Sequence, residues 1–342
     1  MNPVTPTQDL RGRPLRDLRV SVTDRCNFRC RYCMPKETFG PGFRFLPRAE
    51  ILAFEEITRV VEAASSLGVT KVRLTGGEPL LRRDLPALVG MLAALPGVSD
   101  LAMTTNGALL ARWAEELAQA GLQRVTVSLD SVDPEVFRLM NGVGLPIEPV
   151  LEGIEAAVQA GLGPIKLNAV IRRGLNEGGI LELANYARDH GHVLRLIEYM
   201  DVGESHGWKM EEVVPSAEVL ALIGTNWPLE RAEPHHPADV AQRYRYRDGA
   251  GEVGVISSVT APFCGDCSRL RLTADGRLHT CLFSRQGHDL RPRLRAGVDR
   301  QELIEELRGL WAARADRYSE LRASQTLRPA ALGKPEMSYL GG

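Results

Sequence analysis

From Leu18 to about Met200, short apolar-rich stretches alternate with segments whose apolar residues recur at helical spacing, the pattern of βα units around a parallel sheet. Residues 49–67 show the helical half: Phe54, Ile57, Val61 and Ala64 fall on one face, Glu55, Glu56, Arg59 and Glu62 on the other, and Gly68 stands where the helix should end. A strand is expected at 71–75. The same junction returns at Gly121 before 124–128, at Gly161 before 165–171 and at Gly191 before 193–198. The expected strands end in Thr75, Thr104, Thr105, Ser128, Asn168 and Glu198, polar residues of the kind that build the mouth of a parallel barrel.

The rhythm stops at 203–208, where a segment rich in Pro, Glu and His follows. The expected boundaries are therefore 1–203 for the βα region, 204–322 for a C-terminal region, and 323–342 for a flexible tail ending in Gly341-Gly342. Within the second region, 243–247, 253–258, 269–273 and 277–281 read as short antiparallel strands, Asp275-Gly276 as a hairpin turn, and 300–314 as a helix.

Composition narrows the function. The 342 residues carry 42 Lys and Arg against 43 Asp and Glu, a net charge of −1 that advertises neither nucleic acid nor membrane. The first residues lack the apolar run of a signal peptide, and no stretch is long and apolar enough to span a bilayer, so a cytoplasmic enzyme is expected. All six cysteines fall into two triplets: Cys26, Cys30 and Cys33, and Cys264, Cys267 and Cys281. In a reducing compartment, clustered thiols are metal ligands. Each triplet is one thiolate short of closing a 4Fe-4S cluster or a structural zinc site, which leaves a coordination position open. For the second triplet, spacing alone also allows zinc with His279 as fourth ligand.

Two further features carry chemistry. Gly76-Gly77-Glu78-Pro79 directly follows an expected strand; its glycines permit close backbone approach to a ligand, and Glu78 could oppose an ammonium group. Strand alternation places Lys71 and Arg73 on the face opposite Val72 and Leu74, and the same parity directs Arg19, Lys166, Arg195, Arg269 and Arg271 inward. Seven buried cations demand negative charge from a ligand, and a triphosphate is the natural answer.

The Cys-x3-Cys-x2-Cys spacing, with Tyr32 before the last cysteine, resembles the signature of radical S-adenosylmethionine enzymes. Residues 18–35, 75–79, 104–107, 197–203, 257–272, 275–283 and the terminal Gly341-Gly342 together resemble one family along essentially the whole chain: the GTP 3′,8-cyclases, or molybdenum cofactor biosynthesis protein A. The resemblance implies an α/β fold with an incomplete TIM-type βα barrel whose mouth is covered by the C-terminal antiparallel extension. It implies two 4Fe-4S clusters, on Cys26, Cys30 and Cys33 and on Cys264, Cys267 and Cys281, so that zinc is not expected at the second. It assigns S-adenosylmethionine contacts to Tyr32, Gly77, Ser128 and Met200. It assigns GTP contacts to Arg19, Lys71, Arg73, Thr104, Lys166, Arg195, Arg269, Arg271, and Ser268 or Leu270 by backbone. Arg19, Arg269 and Arg271 join the first three cysteines as catalytic residues, and the terminal glycines are expected to enter the active site. Asp17 stands where many relatives carry Tyr, and Leu196 where many carry an aromatic; neither change is expected to touch a ligand-binding residue.

The reaction so implied splits S-adenosylmethionine to a 5′-deoxyadenosyl radical, which takes hydrogen from C3′ of GTP and leads to 3′,8-cyclo-7,8-dihydro-GTP, the first step of molybdenum cofactor biosynthesis. The implied partners are an electron donor such as flavodoxin or ferredoxin and a downstream cyclic pyranopterin monophosphate synthase, with no nucleic acid or membrane, the chain being a monomer or homodimer. Two other readings differ in what they require. A radical enzyme acting on a peptide would not need the inward cations, and an electron carrier would close its clusters with a fourth cysteine.

Overall fold

The computed structural model describes residues 5–234, 236, 238–325 and 333–341. Six strands, β1 (Asp17–Ser21), β2 (Lys71–Thr75), β3 (Asp100–Thr105), β4 (Arg124–Ser128), β5 (Lys166–Ile171) and β6 (Val193–Glu198), pair in chain order, all parallel. Helices follow the strands, among them Phe54–Ser65, Leu110–Gln119, Glu148–Gln159 and Ile180–Asp189. The chain is an α/β protein with a predominantly parallel sheet.

The C-terminal half supplies β7 (Leu229–Ala232), β8 (Gln242–Tyr246), β9 (Glu252–Ile256), β10 (Arg269–Leu272), β11 (Arg277–His279) and β12 (His288–Asp289). The expectation of a separate antiparallel extension needs correction. β9 joins β6 in parallel, β10 joins β1 in parallel, and only their hairpin partners run antiparallel, giving one sheet in the order β12-β11-β10-β1-β2-β3-β4-β5-β6-β9-β8-β7. Hairpin turns reveal sequential partners, but β1 and β6 also present free backbone donors and acceptors that must be met by something. Distant segments meet them, and the sheet runs unbroken across residue 203.

One face of the parallel strands is apolar. Leu18, Val20, Val72, Leu74, Met103, Val127, Leu167, Leu194, Leu270 and Leu272 lie in the core against the helices, all fully buried. Burying such a side chain stabilises by about 1.5–3 kcal/mol, so the register is strongly fixed and the alternate residues are forced to the other face. Among the described residues, no helix is long and apolar enough to cross a membrane.

Both ends of the chain are sewn into this frame. Thr7 N donates to Leu67 O at 2.8 Å, and the buried Trp311 of helix Arg300–Ala312 donates to Arg13 O at 3.1 Å. Of the segment read as a tail, 326–332 and Gly342 lie outside the described residues. The remainder is held: Glu336 accepts from Glu204 N and Ser205 N at 3.0 Å, Tyr339 donates to Asp275 at 2.8 Å, and Leu340 is fully buried.

Candidate active site

The polar face of the sheet walls a cavity with about 1670 Å³ of space, its open mouth included. Register decides how the cations stand there. Arg271, Arg19 and Arg73 are direct neighbours across β10, β1 and β2, and one row below Asp17 sits between Arg269 and Lys71. Six of the seven expected cations line the cavity: Arg19, Lys71, Arg73, Arg195, Arg269 and Arg271. Lys166 stands close by, within the field of Arg195 and Arg73, but does not line it.

Burial and mutual repulsion weaken the hold of most of them on protons; Arg269 is instead raised, its burial outweighed by Cys267. Burial first, then neighbouring arginines, pull Arg19 down to about 10 and Arg73 to about 9. Burial and Arg195 pull Lys166 to about 7, and burial and Arg19 pull Arg271 well down. Arg73 donates to the hydroxyls of Thr104 and Thr126 at 3.0 Å, whereas Arg19, Lys166 and Arg195 have no side-chain partner among the described residues. Such a wall is costly without an anionic ligand.

Asp17 overturns one expectation. It lines the cavity, pairs with Lys71 at 3.4 Å and accepts from the Ser268 hydroxyl, so the residue at this position does touch groups assigned to GTP. Ser268 is thereby committed, its carbonyl also accepting from Asp17 N at 3.1 Å, and Leu270 turns its side chain into the core.

Cys264, Cys267 and Cys281 line the same cavity. Arg269 Nη2 donates to Cys267 Sγ at 3.5 Å; although burial pushes this thiol up, Arg269 and Arg314 outweigh it and bring Cys267 to about 6. Burial holds Cys281 up at about 11, with Phe283 N donating to its sulfur at 3.5 Å. The loop is gripped from two distant segments: Arg13 donates to Cys264 O at 2.7 Å and Arg314 to Cys267 O at 2.6 Å, and Asp9 takes both guanidinium groups, at 2.6 and 3.4 Å. His279 faces the other way. Its Nδ1 meets Ser284 Oγ at 2.9 Å and its Nε2 lies against Gly287, so it does not complete a zinc site with the three cysteines.

The first triplet occupies the loop after β1. Arg29 clamps it, donating to Cys26 O at 2.8 Å and to Phe39 O at 2.8 Å. The glycines expected near a ligand press on this loop: Gly77 N donates to Thr23 O at 2.8 Å, and a β-carbon at Gly77 would sit 2.3 Å from Arg25 O, so no other residue fits. Glu78 departs from its expected role. Its oxygens accept from Leu80 N at 3.1 Å, from the Thr105 hydroxyl at 2.7 Å and from Asn106 N at 2.7 Å, and burial brings it up to about 7. Asn106 in turn reaches Cys26 Sγ at 3.8 Å, so Glu78 positions the cysteine loop through Asn106. Tyr32 donates to buried Asp130 at 2.7 Å, Met200 lines the cavity, and Ser128 closes β4 half-buried.

Burial, then nearby acidic groups and thiols, push the thiol of Cys26 up to about 12 and those of Cys30 and Cys33 well up. Cys30 feels both other thiols and Cys33 feels Cys26, which places the three together. Among the described residues, no three His, Cys, Asp or Glu side chains converge on a single ion, a requirement that three thiolates on three separate irons do not share. Thiolates with N–H donors aimed at sulfur fit an iron–sulfur cluster at both loops.

The terminal segment lies between the first loop and the cationic wall. Ser338 bonds through its backbone to Cys33, and Arg271 donates to Gly341 O at 3.0 Å. Gly341 takes φ +68°, and a β-carbon there would sit 2.5 Å from Thr75, so glycine is required. Sequence reasoning missed Asp9, Arg13, Arg314, Asn106 and Asp130. Each looks like an ordinary surface polar residue until the fold buries it beside a cysteine loop.

Comparison with known proteins agrees with this geometry. Residues 20–187 match the model of the Radical SAM superfamily, and residues 192–320 that of Molybdenum Cofactor Synthesis C. The chain is 56% identical to a GTP 3′,8-cyclase of Acidothermus cellulolyticus, covering 98% of this chain and 99% of the relative. It is 53% identical to that of Xanthomonas axonopodis pv. citri (98% and 99%) and 43% identical to that of Staphylococcus aureus (99% and 100%). In fold it is similar to Streptococcus suis SuiB bound to S-adenosylmethionine, at a TM-score of 0.62 and 15% identity over 91% of this chain and 74% of that one. With two cysteine loops flanking a cationic cavity and relatives matched from end to end, the chain belongs to the GTP 3′,8-cyclase family.

Proposed function

We propose that this protein converts GTP to 3′,8-cyclo-7,8-dihydro-GTP as a radical S-adenosylmethionine enzyme, the first step of molybdenum cofactor biosynthesis. The observation that carries the reading is a buried cationic wall that includes one cysteine triplet and is joined to the other through the terminal segment. The sheet is read as an incomplete TIM-type barrel, its strand ends and the loops after them forming the site. Cys26, Cys30 and Cys33 would hold the 4Fe-4S cluster whose one-electron chemistry cleaves S-adenosylmethionine, and Cys264, Cys267 and Cys281 a second.

The chain's own residues do the rest. Arg19, Arg73, Arg195 and Arg271 bind the triphosphate by charge-assisted hydrogen bonds, which relieve the repulsion among them. Lys71 is shared with Asp17, which moderates the charge at that end. Cys267, already drawn toward thiolate by Arg269 and Arg314, would help hold the second cluster, whose open iron position would be available to the purine. Tyr32 and Met200 flank the cosubstrate, and Gly341 closes the space between, so that water is excluded and one ribose hydrogen lies in reach. A reduced flavodoxin or ferredoxin supplies the electron, and a cyclic pyranopterin monophosphate synthase consumes the product.

The test is anaerobic incubation with S-adenosylmethionine, dithionite and GTP deuterated at C3′. The deuterium should appear in 5′-deoxyadenosine, and deuterium at C8 should stay in the nucleotide. Label retained at C3′ while 5′-deoxyadenosine forms would refute GTP as the hydrogen donor.

A further inference from the structure

We propose that the outer face of the first cysteine loop, with residues 36–48 folded over it, is the docking surface for a small acidic one-electron carrier protein. This rests on reading Cys26, Cys30 and Cys33 as the seat of a reducible cluster. Residues 24–48 hold six cations against two carboxylates, Asp24 and Glu37, in a chain of net charge −1. Asp24 is half-buried and spent inside, accepting from Leu46 N at 2.6 Å.

The exposed cations here are Arg25, Arg31, Lys36, Arg44 and Arg48, and none has an ion-pair partner among the described residues. Some basic residues elsewhere on the surface are neutralised in pairs, while others, such as Arg83, Arg112 and Lys209, have no ion-pair partner among the described residues but lie far apart in the chain. Arg293 pairs with Glu302 at 2.8 Å, Arg295 with Glu56 at 3.2 Å, and Arg300 with Glu62 at 3.0 Å. Cations left unneutralised in one place form a field complementary to an acidic partner. They do not serve the substrate, because none of the five lines the cationic cavity.

An aromatic centre lies among them. The rings of Phe39 and Phe43 stand 4.6 Å apart and those of Phe43 and Phe45 4.9 Å apart, with Phe43 exposed. Arg25 and Arg29 lie over Phe45 at 5.5 and 5.7 Å, and Arg29 also donates to Cys26 O at 2.8 Å. An apolar centre with a charged rim is the anatomy of a protein interface. Here it sits directly on the loop that must receive an electron, and a carrier that docks there gives up one electron across a single layer of side chains.

Oxidised flavodoxin, fluorescently labelled away from its acidic face, is titrated at low salt into the anaerobically loaded full chain. Arg44→Glu combined with Arg48→Glu should weaken binding by about tenfold or more and flatten its salt dependence. Phe43→Ala should weaken it severalfold, and the control Arg293→Glu with Arg295→Glu should leave it unchanged. Iron content, the unfolding midpoint and bleaching of the cluster absorbance by dithionite should match wild type in all three variants. Unchanged flavodoxin affinity in the double variant overturns the proposal. So does an equal loss in the control, or a loss confined to binding of anionic vesicles or RNA. Dithionite-driven cyclisation is read separately: its absence from the wild type would fault the functional reading, while the flavodoxin titration still judges the surface.

Discussion

The two cysteine loops each bring three thiols to one site, yet only the second has a thiol drawn down, Cys267, while its neighbour Cys281 stays up at about 11. Around Cys26, Cys30 and Cys33 the neighbours are carboxyl groups and the other thiols, and every thiol is pushed up. Around Cys267 the neighbours are Arg269 and Arg314, which overcome burial and draw it down to about 6. The second loop is also part of the cationic wall, while the first stands apart behind the terminal segment. The difference teaches that the loops are not duplicates. On the proposed function, the first would hold a cluster that is reduced and meets a cosubstrate, and the second a group that holds an anion.

The sharpest break of this comparison is Cys30→Ala against Cys281→Ala. Cys30→Ala should abolish 5′-deoxyadenosine formation, while Cys281→Ala should retain it without cyclised product; each should lower iron from about eight to about four per chain. Identical phenotypes would erase the division of labour. The next largest effect is expected at Asp9, which neutralises Arg13 and Arg314 beneath the second loop. Asp9→Asn leaves buried Arg13 without an ion-pair partner and Arg314 with Asp316 alone at 3.5 Å, and should cost about 3–5 kcal/mol. Denaturant unfolding would measure it, and iron should be lost from the second site before the first.

Smaller effects sharpen the cationic wall. Arg19→Ala and Arg271→Ala should each weaken GTP binding by about 1.5–3 kcal/mol, about 10- to 150-fold, with both clusters intact. Equilibrium binding under anaerobic conditions decides it, and unchanged affinity in both variants would place the triphosphate elsewhere. The smallest signal is a proton. Lys166 sits at about 7 because burial and Arg195 disfavour its charge, so at pH 8 it is largely neutral until a triphosphate arrives. GTP binding should therefore take up a proton at pH 8, seen by calorimetry in buffers of different ionisation enthalpy, and lose affinity as pH rises from 7 to 9. Lys166→Met should remove the uptake. In the free protein the unfolded chain holds that proton more tightly, so this lysine's cost to stability is full below pH 7 and fades toward the ordinary value of 10.5.

Much of the wall was legible in the sequence because alternation in a strand is a two-fold rule. Once Val72 and Leu74 are committed to the core, Lys71 and Arg73 have one direction left. The cysteine triplets were legible from spacing alone. The parallel pairing of β9 and β10 was not, since nothing local in four or five residues names a partner some 60 to 250 positions away. Asp17 was misjudged for the same reason: its place between Arg269 and Lys71 exists only once β10 lies beside β1.

The sequence by itself determined which residues are candidates for the chemistry: the six cysteines and the inward cations, together with the glycines at 77 and 341, where the structure leaves room for nothing larger. Those properties are local, set by side-chain type, spacing and the two-residue period. Tertiary structure decided what each group feels. It set three arginines side by side across three strands, lent Arg314 and Arg13 to a cysteine loop some 50 and 250 residues away, and turned Glu78 from a ligand candidate into a brace. Burial and Coulomb interactions depend on distance in space, and distance in space is what a chain acquires only by folding.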